Sequence, residues 1–271
     1  MDYKNEIKAV VFDFDGTLID FNYQTTDYTR KALKLLKENG YKVCLSSGRP
    51  CFLAKKAFEN TFGEYPLDYI FGCNGAEMMD VPNDKTEILY PLKAEDVRKI
   101  GKLLDKEFLV LGIYEGSKFL VNKACESKDM KDWLAARWLT PILYDFSLNE
   151  IERSKVLVLN DKVDRPKEDE FLKDVDLSNY SAAYSSPMCF EIAPKGVNKA
   201  KSIERLANIL GCSNNQILSF GDMPNDLPML ENSTGVVMDN ASDDMKARIK
   251  LHTSAVDKMG VYEFLNNNGL I

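Results

Sequence analysis

Apolar residues along this chain recur in two alternating rhythms. Ala9-Val10-Val11-Phe12 is a continuous apolar run closed by Asp13-Phe14-Asp15-Gly16, the pattern of a strand covered on both faces. A helical spacing follows over residues 26–39, with Ala32, Leu33, Leu35 and Leu36 on one side and Gly40 placed to end it. Lys42-Val43-Cys44-Leu45 reads as a second strand, Pro50 suits the first turn of the next helix, and Tyr69-Ile70-Phe71-Gly72 reads as a third strand. The rhythm returns late in the chain. A helix is predicted over 198–210, then strands at Ile217-Leu218-Ser219-Phe220 and Gly235-Val236-Val237-Met238.

Strand and helix in alternation predict an α/β fold, a doubly wound Rossmann-like parallel-sheet core. The middle breaks the pattern. Helical stretches at 95–108 and 128–138 sit among strand-like runs at 109–114, 118–122, 155–160 and 180–185. We read residues 82–187 as an inserted α+β cap domain, and residues 1–81 and 188–271 as the catalytic core.

Composition narrows the chemistry. Of 271 residues, 45% are hydrophobic and 28% charged, with a net charge of -7, which speaks against nucleic acid or an anionic membrane as a bulk-charge partner. One histidine and six cysteines without a CxxC pair leave little for a zinc site. Reduced, packing cysteines and the lack of a signal-peptide core point to a cytoplasmic protein. No apolar stretch reaches the ~20 residues that span a bilayer.

Four polar clusters fall where strands end or helices begin, which is where open α/β sheets bind ligands. They are Asp13-Phe14-Asp15-Gly16-Thr17, Ser46-Ser47-Gly48-Arg49, residues 195–199, and Gly221-Asp222-Met223-Pro224-Asn225-Asp226. Taken singly, each is an ordinary turn, helix cap or solvated lysine. Together they suit phosphate chemistry. Carboxylates gathered at strand ends repel one another unless a cation lies between them, and hard oxygen donors match Mg²⁺. A carboxylate can attack phosphorus, and a second can protonate the leaving oxygen. Ser47 offers a hydroxyl, Gly48 a closely approachable backbone N–H, Lys199 a point charge and Asn225 an amide.

In these residues the chain resembles the haloacid dehalogenase-like hydrolase superfamily, in particular its Cof-like, type IIB phosphatases. The likeness covers nearly the whole chain. It implies Asp13 as nucleophile and metal ligand, and Asp15 as general acid/base with its backbone carbonyl on the metal. It implies Ser47 on phosphate and, in Pro194-Lys195-Gly196-Val197-Asn198-Lys199, Lys199 rather than Lys195 as the motif lysine. Asp222 would bind magnesium, Asn225 would contact phosphate, and Asp226 would support the metal shell. An insert between the second and third motifs is where the type IIB branch carries its cap. Two departures lie outside these motifs: Asp239 follows Met238 where glycine is common, and Met259 precedes Gly260 where an acid is common. The expected substrate is a small phosphorylated metabolite such as a sugar phosphate. Phosphomutase or phosphotransferase chemistry, or a non-catalytic phosphometabolite sensor, remain the alternatives, and the sequence leaves the oligomeric state open.

Overall fold

The computed structural model describes residues 3–20, 22–63, 67–160 and 165–271. The chain divides into two units, Met1–Glu87 with Asn198–Ile271, and Ile88–Val197. The first unit opens with β1 (Ala9–Phe12), β2 (Lys42–Ser46), β3 (Tyr69–Gly72), β4 (Glu77–Asp80) and β5 (Lys85–Ile88). The second contributes β6 (Val110–Glu115), β7 (Lys118–Val121), β8 (Pro141–Leu143), β9 (Val156–Leu159), β10 (Tyr180–Ser186) and β11 (Cys189–Pro194). The chain then returns as β12 (Ile217–Gly221), β13 (Thr234–Met238) and β14 (Leu251–Thr253).

The first unit is one eight-stranded sheet in the order β14-β13-β12-β1-β2-β3-β4-β5. From β14 to β3 every pairing is parallel, and β4 runs antiparallel to β3. Parallel pairing needs both faces covered, and β1 and β12 are buried at every position. Phe12 and Phe220 face each other in register, their rings stacked 5.3 Å apart. Each buried phenylalanine contributes roughly 1.5–3 kcal/mol, so this pair anchors the two central strands. Helix Asp27–Glu38 begins where Thr26 Oγ1 accepts the Thr29 N–H at 3.0 Å, and it buries Ala32, Leu33 and Leu36 against the sheet core.

The order of connections reverses at the centre. From β1 the chain proceeds outward through β2 and β3; from β12 it proceeds the other way through β13 and β14. The loops leaving β1 and β12 therefore diverge and leave a crevice beyond their carboxyl ends.

The second unit has a six-stranded sheet, β10-β11-β9-β6-β7-β8, antiparallel except for the β7–β8 pair. Val97 and Ile100 of helix Ala94–Leu103 pack with Leu111, Ile113, Val156 and Val158. Three features differ from the sequence reading. The insert runs over Ile88–Val197 rather than 82–187, because β5 continues the first sheet and β11 pairs with β9 and β10 inside the second. The predicted 128–138 helix ends at Ala135, and Trp138 adopts a left-handed backbone (φ 54°) that no helix continues. The predicted 95–108 helix ends at Leu103.

Candidate active site

The first site residues follow β1 directly. Asp13 is 7% exposed, and its carboxylate Oδ1 accepts a hydrogen bond from Lys199 Nζ at 2.5 Å. Lys199 stands at the start of helix Ala200–Leu210 and is 1% exposed. The same ammonium donates to Asp226 Oδ1, also at 2.5 Å. The other oxygen of Asp226 accepts the backbone N–H groups of Asp222 and Met223 at 3.0 and 2.9 Å. Asp226 is thus fully engaged in holding the loop after β12 and in fixing Lys199. Lys195 lies in the second unit and donates to the Ser178 carbonyl.

Asp222 is held from two other loops. Thr17 Oγ1 donates to its Oδ1 at 3.1 Å, and Asn240 Nδ2 donates to its Oδ2 at 3.1 Å. Asn240 Nδ2 also donates to the Gly16 carbonyl at 2.9 Å, while Asn240 Oδ1 accepts the Val256 N–H. Gly16 is required here twice over. Its φ is +89°, and a Cβ would lie 2.2 Å from Asp222 Oδ2.

Asp13, Asp222 and Asp226 each place a carboxylate oxygen within 4.8 Å of the others. Burial, then the charge of Asp226, raises the Asp13 pKa well above the ordinary carboxylate range against the pull of Lys199. The same two causes push Asp222 up to about 7. Burial works against the Lys199 ammonium, but the charges of Asp13 and Asp226 outweigh it and raise its pKa. Three buried carboxylates around one ammonium leave a centre short of positive charge. A hard divalent cation fits that donor set.

The Asp15 carboxylate is not part of this triple. It forms a bidentate ion pair with Arg49, whose Nη2 and Nε donate at 2.7 and 3.1 Å. Ser47 follows β2 and is 2% exposed; its Oγ accepts the Arg49 N–H at 3.2 Å. Its backbone carbonyl accepts the Asn74 N–H at 2.9 Å. Asn74 sits at φ 56° just after β3, and its Oδ1 accepts from Asn225 Nδ2 at 3.2 Å. A Cβ on Gly48 would lie 3.5 Å from that same Asn74 oxygen. All eight residues singled out from sequence therefore belong to the first unit, on the loops leaving β1, β2 and β12 and at one helix start. His252 is exposed, with Nε2 2.7 Å from the Ile249 carbonyl, and all six cysteines are free.

Three supporting residues had no assigned role in the sequence reading: Thr17, Arg49 and Asn240. Thr17 and Arg49 lie inside quoted clusters, so a search for partners of each charge would have found them. Asn240 gives no local signal, since its function depends on the β12–β13 pairing that brings its loop to Asp222.

A buried acidic centre at the switch point of a parallel sheet defines a hydrolase scaffold of a known kind. The chain belongs to the haloacid dehalogenase-like hydrolase family, whose model matches residues 10–265. As an enzyme it falls with the phosphatases of that family. It is similar to the 5-amino-6-(5-phospho-D-ribitylamino)uracil phosphatase YitU of Bacillus subtilis, with 26% identity covering 94% of this chain and 95% of that protein. A haloacid dehalogenase-like hydrolase from Bacteroides thetaiotaomicron superimposes with a TM-score of 0.80 and 25% identity, covering 96% of this chain and 99% of that one. The structure described as the HAD subclass IIB sugar phosphatase BT4131 shares the fold, with a TM-score of 0.76 and 23% identity over 97% and 100% of the two chains. Among the described residues no helix is long and apolar enough to cross a membrane.

Proposed function

We propose that this chain is a magnesium-dependent phosphatase that hydrolyses a small phosphorylated metabolite, a sugar phosphate or similar, through an aspartyl-phosphate on Asp13. The observation that carries the reading is the 2.5 Å bond from buried Lys199 to Asp13 Oδ1, with Asp222 and Asp226 gathered around it. Lys199 occupies one oxygen of Asp13 and leaves the other to attack phosphorus.

In that attack a bond forms from the Asp13 oxygen to phosphorus, and the phosphorus–oxygen bond to the leaving alcohol breaks. Asp15 gives its proton to the departing oxygen. In the second half a water attacks phosphorus, Asp15 takes the water's proton, and the Asp13–phosphorus bond breaks to release inorganic phosphate. Lys199 stays beside Asp13 and offsets charge in both halves. Ser47, the Gly48 N–H and Asn225 orient the phosphoryl oxygens. Asp13, Asp222 and the Asp15 carbonyl would hold Mg²⁺, which when bound neutralises the acidic centre and admits a phosphate dianion. Asp226, with both oxygens occupied, supports that centre through Lys199 and the β12 loop.

Family membership, a related phosphatase covering nearly the whole chain, and a full set of carboxylate, lysine and hydroxyl groups all support the reading. The test is phosphate release over a panel of phosphorylated metabolites, with and without Mg²⁺. Wild type should turn over at least one sugar phosphate only with the metal, and Asp13→Asn should be inert. Release by Asp13→Asn at the wild-type rate would exclude the covalent route.

A further inference from the structure

Arg49 is held on three sides. Its guanidinium pairs bidentately with Asp15, lies 5.7 Å from the ring centre of Phe14, and lies 5.9 Å from that of Tyr23. Phe14 is fully buried, whereas Tyr23 is 52% exposed. A large aromatic left half in water needs a reason, and its backbone needs another. Tyr23 sits at φ 61°, a left-handed conformation that disfavours non-glycine residues.

The local chain is built to sustain that conformation. Asp20 Oδ1 accepts the N–H groups of Asn22 and Gln24, both at 2.8 Å. The Asp20 N–H donates to the Gln24 carbonyl at 2.8 Å, and the Tyr23 N–H donates to the Asp20 carbonyl at 3.0 Å. Four hydrogen bonds thus fix a turn whose product is one ring laid against Arg49. A guanidinium within cation–π reach of two rings has less freedom to swing, and a bidentate fork transmits that constraint to the carboxylate it grips.

We propose that Tyr23 is a positioning residue for Asp15, acting through Arg49: the turn built on Asp20 lays the Tyr23 ring against the guanidinium, and the guanidinium aims the Asp15 carboxylate. The inference rests on the reading of Asp15 as the general acid/base. Asp15 acts as a base when water attacks the aspartyl-phosphate, and the aimed, Arg-paired carboxylate is the form that serves that step.

The test separates the two half-reactions with p-nitrophenyl phosphate, whose leaving group departs as an anion without a donated proton. Rapid mixing of the Mg²⁺-loaded enzyme reads the first turnover as a burst of p-nitrophenolate, and the steady state reads the second half. Tyr23→Asn removes the ring while suiting a left-handed backbone. It should keep the wild-type melting temperature and burst rate and lower the steady-state rate about tenfold, a part of the full general-base effect. Tyr23→Phe keeps the ring but removes the hydroxyl that also interacts with Arg49, and should recover part of that loss. An equal fall in both phases, or an unchanged steady state, would overturn the proposal. Asp15→Asn distinguishes the two levels of failure. If Asp15→Asn slows the second half and Tyr23→Asn does not, only the role of Tyr23 is lost; if Asp15→Asn leaves the second half unchanged, the role of Asp15 falls first.

Discussion

Lys199→Met is the sharpest perturbation of the acidic centre, because it keeps the aliphatic stem and removes only the ammonium. That ammonium is 1% exposed and makes two charge-assisted bonds of 2.5 Å, to Asp13 and Asp226. Breaking a buried ion pair from one side costs about 3–5 kcal/mol, since the abandoned charge stays buried. Here two carboxylates are abandoned, and Asp222 lies close to both. For a chain of this size each kcal/mol moves the midpoint by roughly 2–4 °C, so the metal-free variant should melt about 10 °C below wild type. The vacated charge also makes the centre more attractive to a divalent cation. Mg²⁺ should therefore raise the melting temperature of Lys199→Met by more than that of wild type, while phosphate release falls by at least ~100-fold. The assay is thermal unfolding of both proteins with EDTA and with saturating Mg²⁺. A metal-free variant melting within about 2 °C of wild type would overturn that expectation. It would mean that the carboxylates do not share one buried pocket.

Gly16→Ala should fold but lose most of its Mg²⁺-induced thermal shift, because its Cβ would press on Asp222 Oδ2 from 2.2 Å and its φ of +89° disfavours any side chain; an undiminished shift would show that Asp222 is not a ligand. Asn240→Ala removes donors to Asp222 and Gly16 and strands the Val256 N–H. It should weaken Mg²⁺ binding about 10–100-fold by calorimetry, as outer-shell changes do. Away from the site, Asp68 accepts hydrogen bonds from Lys37 Nζ, Lys42 Nζ and the Val43 N–H. Burial tends to raise its pKa, but those donors outweigh it and hold it below the usual range. A depressed folded pKa adds stability above the unfolded value of about 3.9 and loses it as pH falls through the folded one. Asp68→Asn should therefore cost about 2 kcal/mol at pH 7 by urea unfolding, and the difference should shrink steadily below about pH 4.

The parts of the fold that were legible are those whose hydrophobic pattern is strong and local. β1, β12 and β13 are short, wholly buried runs, and helix Asp27–Glu38 carries a cap at Thr26 and a stop at Gly40. Parts of the second unit were harder to read because they are weakly patterned. β8 is three exposed residues, and helix Arg165–Lys173 is largely polar. The 188–194 stretch followed a turn and preceded the lysine motif, so its partner strand β9 could not be inferred from local sequence.

The acidic centre shows the same division. Strand-end aspartates can be seen in a sequence because their neighbours announce the strand. What keeps them usable is only partly visible there: Lys199 stands in a motif and Thr17 and Arg49 lie inside two of the clusters, but Asn240 reaches Asp222 only through sheet pairing. The Asp13–Lys199 contact spans 186 positions and the Thr17–Asp222 contact spans 205. Such contacts join residues that the β1–β12 pairing brings together, which couples the site to the central strands. A substitution that loosens the Phe12–Phe220 pair should therefore damage metal affinity before it unfolds the sheet. The carboxylates repel one another, and they stay together only while the strands beneath them hold register.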